Sequence, residues 1–547
     1  MKVRGKKVIV LVALTLLFAS ACSNGRTNGA NGTKENMSST GSPTAESAQA
    51  TEAIDPFGRY DEPVTITIGK EVPPDDKSLP TGDTVENNQY TRYFEEKLNL
   101  KFKAAWIATS GDAFDQKLKL SISSNDIPDA MVVGEKELRL LVKAGQVEDL
   151  TEAYQNYVSP TLKSMYDATE GRSLEAATFD GKLMALPNVN VEADAIQLLW
   201  IRQDWLDKLG LQPPKTIEDL KNVAKAFIEK DPDGNKKADT LGLVGTNFEP
   251  IYASYHAYPR LWMKDESGKV TYGSINSETK QALSKLREMY EEGLIDKEFA
   301  IRKDMNELLV SGKAGMYFSP WWAPWYPLAD TVKTNPNAQW KAYAVPLDSN
   351  GVFNTRLNPA SSSFFVLKKG YKHPEALVKY MNVYSSIETD PEALAKLDSK
   401  VNAFYYPLRA TMVAPNVVTV RYNAVKQALA GELKADELTV DQKDIYEKVL
   451  REQANPHADM GDWSFTNAYL VGAAALEVNM NKVYGAFYSQ TKAMELKWPA
   501  LDKLENEYFI KIIMGTEPID SFDKYVEEWK RTGGDEITAE VEEATKK

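Results

Sequence analysis

One cysteine and three histidines in 547 residues leave little material for metal or redox chemistry. A lone cysteine cannot form an intramolecular disulfide, and so few imidazoles and thiols weigh against a zinc centre built from nitrogen and sulfur ligands. No Gly-rich phosphate loop, Gly-x-Ser-x-Gly elbow or His-Glu-x-x-His stretch occurs. No basic stripe interleaved with aromatics is present, and the formal charge is −13, which argues against a nucleic-acid partner. No internal repeat of about 20–50 residues is visible. The one clearly membrane-directed stretch, residues 8–18, is too short to span a bilayer as a helix, which takes roughly 20 residues.

What is present begins at the amino terminus. Lys2, Arg4, Lys6 and Lys7 precede that apolar run, and small residues lead to the lone cysteine in Ala19-Ser20-Ala21-Cys22. A charged segment, a short apolar segment and a small-residue cleavage site are the three parts of a secretory signal, read here as residues 1–21. The cysteine at the cleavage point resembles a lipobox, in which it would be lipidated and become the new N-terminus; Ala19 stands where a lipobox carries Leu. A plain signal peptide with an incidental cysteine is the competing reading. Residues 22–55 are Ser, Thr, Asn, Gly and Ala with few charges and no apolar period, a composition that cannot offset the entropy of ordering. Such a tether would hold a folded body about 30 Å from its anchor on average.

The body from Pro56 onward runs to roughly 490 residues, more than one core accommodates, so two lobes are expected. Without the four cations of the signal segment the charge becomes −17, which favours solubility and says nothing about fold. Strand and helix patterns alternate. Residues 64–69 and 100–106 read as strands, and Tyr90, Tyr93, Phe94 and Leu98 recur at helical spacing between them. Residues 114–121 read as an amphipathic helix and 130–133 as a short buried strand; the rhythm resumes with strand 198–201 and helix 217–229. Alternation of this kind implies an α/β fold with mostly parallel sheets covered by helices.

Local motifs then converge. Ile122-Ser-Ser-Asn-Asp126-Ile127-Pro128-Asp129, Gly145-Gln-Val-Glu-Asp149-Leu150 and Phe179-Asp180-Gly181-Lys182-Leu-Met-Ala-Leu186-Pro187 follow one another. Trp200-Ile-Arg202-Gln-Asp204-Trp205-Leu206 precedes Gly210-Leu-Gln-Pro-Pro214-Lys-Thr216, and Gly312-Lys313-Ala-Gly315-Met316 and His373-Pro374-Glu375-Ala376 come later. In that order they resemble extracellular solute-binding proteins of family 1, the maltose-binding type. The stretch from Phe522 to Gly534 is similar to the terminal helix of a lipoprotein subgroup found in Gram-positive bacilli. The resemblance implies a two-lobed, type II periplasmic-binding-protein-like fold with several hinge crossings. By analogy the first lobe takes 56–190 and 346–405, and the second 191–345 and 406–547. It also implies the substrate-binding lipoprotein of an ABC importer, a monomer anchored by lipid at Cys22 on the outer face of the membrane. Such a protein takes an oligosaccharide from the cleft to permease subunits.

One loop carries inorganic chemistry. Asp231, Asp233, Asn235 and Asp239 place oxygen side chains at alternate positions, with the Lys237 carbonyl between them. A hard cation such as Ca2+ takes six to eight oxygens at about 2.3–2.6 Å, and a loop with this spacing can curl around one. The pattern follows the start of an EF-hand loop, but Lys236 replaces the sixth-position glycine and no Glu stands at the twelfth. Alginate-binding relatives carry a similar calcium loop with Glu after the last Asp, where Thr240 stands here. An Asx-rich turn that holds no metal is the alternative.

Sugar rings present C–H faces to Trp and Tyr, and their hydroxyls need Asp, Glu, Asn or Arg. The chain has 26 Tyr and 11 Trp. Trp321 and Trp322 lead the candidates, because Pro320-Trp321 matches the family's sugar-stacking Pro-Trp; three neighbouring tryptophans cannot all face a cleft, so some pack. Trp463, Tyr252, Tyr255, Trp106 and Asp180 follow. Arg202 and Asp204 stand at a strand end, either in a cleft or as a structural ion pair. A glycoside hydrolase would need two carboxylates about 5–9.5 Å apart, and no motif marks such a pair, so no enzyme is expected. A binder of peptide or another non-sugar solute is the alternative reading.

Overall fold

The computed structural model describes residues 54–109, 111–265, 267–398 and 400–546, and 54–547 form one compact unit. The signal segment, Cys22 and almost all of the tether lie outside the described residues. Eleven strands matter here: β1 (Val64–Glu71), β2 (Leu100–Ala108), β3 (Ala130–Val133), β4 (Leu186–Pro187), β5 (Leu198–Arg202), β6 (Leu241–Val244), β7 (Ala314–Ser319), β8 (Trp340–Tyr343), β9 (Phe353–Arg356), β10 (Phe364–Leu367) and β11 (Met480–Val483).

Local chemistry explains the elements. In β1, Val64, Ile66 and Ile68 are buried on one face, as strand alternation requires. The helix Gln89–Leu98 starts at Asn88, whose side chain accepts from the Tyr90 and Thr91 amides while Thr91 caps back. It ends at Asn99 in the left-handed conformation, φ 58°. The helix Ile217–Glu229 starts in the same way, from Thr216 and Asp219.

The first sheet has the order β2-β1-β3-β10-β4 and the second β8-β5-β7-β6. Both are mixed. β1 pairs in parallel with β2 and β3, and β7 with β6, because helical crossovers return these strands in the same direction. β10 meets β3 and β4 antiparallel, and β5 meets β7 and β8 antiparallel. Around the first sheet lies a core drawn from residues 64–189 and 364–412. Two further cores flank the second sheet, one from 199–345 and 493–541, the other from 193–357 and 418–476. Phe353 and Leu357 belong to the second sheet's cores, and Leu408 and Met412 to the first sheet's core. The parallel pairing of β9 with β11 holds the first of these stretches in place.

Lys70 shares the buried face of β1 with Ile66 and Ile68, and its ammonium donates to the Tyr406 carbonyl. Among the described residues no carboxylate forms an ion pair with it. Burial, reinforced by the nearby Arg409 charge, lowers its pKa to about 7. Between about pH 7 and the unfolded value of 10.5 the unfolded chain binds the extra proton, so stability rises with pH across that window. Lys70→Met is therefore expected to be more stable than the parent at pH 7, by on the order of 2 kcal/mol after loss of the bond to Tyr406. Urea melts at several pH values should show the gap closing toward pH 10; a pH-independent gap would contradict the assignment.

Candidate ligand-binding site

Strand direction places the site. Because β6 and β7 are parallel, the segments that follow them, 245–249 and 320–322, leave the second sheet at the same end. β5 is antiparallel to β7, so the residues before it come to that end as well. Trp321 accordingly donates its indole N–H to Asp194 at 2.9 Å, and Trp200 donates to the Pro320 carbonyl at 3.0 Å. Burial pushes the Asp194 carboxyl above its ordinary value, with the indole pulling the other way. Ligands in α/β folds bind at carboxyl ends of parallel strands. A wider groove of about 460 Å3, lined by Thr65, Asp129 and Lys368, opens at the amino end of β1 and so has the wrong polarity.

At the favoured end lies a cavity of about 420 Å3 behind the helix Glu249–Ser254. Its apolar walls are Phe248, Tyr252, Phe299 and Phe509, with Tyr258 beside them; the Tyr258 hydroxyl is buried without a partner. Two ion pairs complete it. Arg356 donates from Nε to Glu249 Oε2 at 3.3 Å and from a terminal nitrogen to the Pro259 carbonyl at 3.1 Å. Arg260 donates from Nε to Glu505 Oε1 at 2.9 Å and to Asn506 at 2.7 Å. Glu505 also accepts from the Tyr272 and Tyr525 hydroxyls, each at 3.2 Å. The carboxylates are the enclosed members, with Glu505 3% and Glu249 14% exposed, whereas Arg260 and Arg356 show 44% and 36%. Burial holds the Glu249 carboxyl above its ordinary value despite Arg356. Apolar rings with hydrogen-bonding groups of both signs suit a hydroxyl-rich, ring-shaped solute.

Of the residues singled out from sequence, Tyr252 lines this cavity. Tyr255 turns toward Glu218, Lys221, Lys285 and Glu288 instead. Trp321 is buried, edge-on to Trp325 and Tyr469 at 5.1 Å each, while Trp322 beside it is 36% exposed. Trp463 is buried in the same core, and Ser464 next to it donates to the Pro324 carbonyl at 3.0 Å. Trp106 is half-buried against Phe114 and lies across β1 at Gly69, where an added Cβ would come within 2.3 Å of the ring. Asp180 is exposed at a hairpin tip with φ 49°.

Arg202 and Asp204 are not with the others. They pair at 2.6 Å at the opposite end of β5, with Arg202 buried and stacked over Trp205. Strand antiparallelism, not residue type, removes them from the cavity. Glu249, Arg260, Arg356 and Glu505 were not singled out; Phe248-Glu249-Pro250 after a strand was the one local hint.

The loop 231–239 also sits at that opposite end, before β6. Asp231 and Asp233 meet carboxylate to carboxylate: hydrogen bonding with Asp233 holds Asp231 low, while burial and then Asp231 push Asp233 up. The Asn235 amide nitrogen bridges Asp233 at 2.7 Å and Asp239 at 2.9 Å. Asp231 Oδ1 and the Thr240 hydroxyl are shielded without partners. The donors are hard oxygens with unspent acceptor capacity and fit a divalent cation. Among the described residues, however, no three Asp, Glu, His or Cys side chains converge as in a formed metal centre.

A sequence profile of bacterial extracellular solute-binding proteins matches residues 78–390. The chain belongs to that family. Lipoprotein LipO of Bacillus subtilis is 30% identical over 235 residues, a match that spans 41% of this chain and 44% of LipO. The polygalacturonan/rhamnogalacturonan-binding protein YtcQ of the same organism is 24% identical over 480 residues, 83% of this chain and 87% of YtcQ. An EF-hand mutant of the Streptococcus pneumoniae ABC-transporter substrate-binding protein FusA, in complex with fructo-nystose, superposes with a TM-score of 0.57. That match has 18% identity and covers 88% of this chain and 99% of FusA, a likeness of fold alone. The family, YtcQ and FusA are binding proteins, and the expected type II architecture is the one shared.

Gly472 is where the segment 468–476 touches the loop that carries Trp321: a Cβ there would lie 2.1 Å from the Trp321 carbonyl oxygen. Gly472→Ala should cost about 1–3 kcal/mol by overpacking and alter tryptophan emission. Chemical denaturation read by fluorescence checks both; unchanged stability would show that the two segments are free to part.

Proposed function

We propose that this chain is the substrate-binding lipoprotein of an ABC importer and captures an oligosaccharide without breaking it. The observation that carries the reading is the aromatic-walled cavity at the carboxyl end of β6, where two carboxylate–guanidinium pairs face the enclosed space. Family membership and the sugars named for YtcQ and FusA support it. In this reading the first lobe is built on the first sheet and the second on the other, with joins near 190, 360 and 415. Trp106 and Asp180 of the first lobe and Trp322 of the second complete the ligand's surroundings, while Trp321 and Trp463 set the wall behind. Ligand favours the closed form by its differential affinity, and the closed form meets the permease. Cys22 carries the lipid that holds the protein outside the cell membrane, as a monomer.

Thermal shift of residues 23–547 against neutral and acidic oligosaccharides tests the core claim. A saturating ligand at 100 times its Kd should add about 2.7 kcal/mol, with the sugar recovered intact. Trp322→Ala should weaken that ligand several-fold without lowering the melting temperature of the free protein. No response to any glycan, with a response to peptides, would replace the sugar reading.

We also propose that Asp231, Asp233, Asn235, Asp239 and the Lys237 carbonyl hold a Ca2+ ion that braces the entry to β6. The cation would relieve the Asp231–Asp233 repulsion and supply structure, not catalysis. Chelator should lower the melting temperature, and Asp233→Asn should abolish the difference. Calorimetry that shows no calcium heat would remove the ion from the account.

A further inference from the structure

The charges around the cavity specify more than a sugar. Each guanidinium is already matched by an enclosed carboxylate, Arg356 by Glu249 and Arg260 by Glu505. Asp502 stands 3.7 Å from Arg260, outside the cavity lining. The two cations of the cavity lining are therefore matched by two anions. A carboxylate brought into such a place finds no uncompensated positive charge. It would lose hydration and meet like charges, a cost that grows as water is excluded. A hydroxyl suffers neither penalty, since it donates to a carboxylate and accepts from a guanidinium in the same geometry.

Resting on the oligosaccharide reading above, we propose that this cavity selects uncharged sugar units and rejects uronic acids, in contrast to the polyuronide named for the relative YtcQ. The terminal nitrogens of Arg260 and Arg356 serve as hydroxyl donors, and Glu249 and Glu505 set both their orientation and their neutrality as pairs. Glu505 is held by two tyrosine hydroxyls besides Arg260, so its charge is fixed in place and the pair cannot be opened to admit an anion cheaply.

The test is isothermal titration of the mature chain with kestose, maltotriose, xylotriose and trigalacturonate at low and high salt, for the parent, Glu249→Gln and Asp502→Asn. At least one neutral trisaccharide should bind the parent at least tenfold more tightly than trigalacturonate, with little salt dependence. Glu249→Gln leaves Arg356 unmatched; it should weaken the neutral ligand several-fold and tighten trigalacturonate, the latter in a salt-sensitive way. Asp502→Asn, outside the cavity lining, should tighten trigalacturonate by less than Glu249→Gln does. Parent protein that binds trigalacturonate as well as or better than every neutral sugar overturns the charge selection and leaves the sugar-binding function standing. Failure of all four sugars to bind, in a folded protein, overturns both.

Discussion

Because β7 runs parallel to β6 and antiparallel to β5, three segments far apart in sequence leave the second sheet at one end. Residues 192–196, 245–249 and 320–322 are thereby gathered around Asp194, Glu249 and Trp321, with a single hydrogen bond, Trp321 to Asp194, tying the first to the last. Asp194, Glu249 and the exposed Trp322 are carried on these segments. The ion pair of Arg202 with Asp204 and the acidic loop 231–239 belong to the other end of the same strands.

Enclosed charge is the second constraint. Glu505 is 3% exposed, and a carboxylate so placed needs hydrogen-bonding partners. Arg260, Tyr272 and Tyr525 each spend a donor on it, which holds it in place. Glu249 is held less completely; its contacts with Thr355 and the Arg356 amide are long, at 3.5 and 3.4 Å, and its pKa moves up with burial. The cavity thus has one rigid pair and one softer pair. Arg356 lies on β9, just before the chain returns to the first sheet.

Much of the framework was legible. The helix Ile217–Glu229 and the strand Ala130–Val133 fall where their residue patterns place them, because local caps and continuous apolar runs set their ends. Tyr252, singled out from sequence, lines the cavity. Arg356 and Glu505 were not singled out: their partners are 107 and 245 positions away, and neither stands in a local motif. Arg202 and Asp204 show the complementary limit. Their strand end was read correctly, but which end of a sheet a strand contributes depends on the direction of its neighbours, which no local pattern records. The tryptophan cluster shows a third: composition announces aromatics but does not say that Trp321 is walled in by Trp325 and Tyr469 while Trp322 stays in reach of solvent.

The acidic loop and the cavity share one strand. β6 begins one residue after Thr240 and ends at Val244, one residue before the segment that carries Glu249. Anything that stiffens the loop therefore fixes the strand whose far end leads into Glu249, without adding a charge to the cavity itself. The loop's present hydrogen bonds, Asn235 bridging Asp233 and Asp239 and Lys208 donating to the Pro232 carbonyl at 2.7 Å, already do part of that work. A cation there would strengthen the brace. Stability and selectivity are in this way assigned to opposite ends of one short strand, and the two can be altered separately.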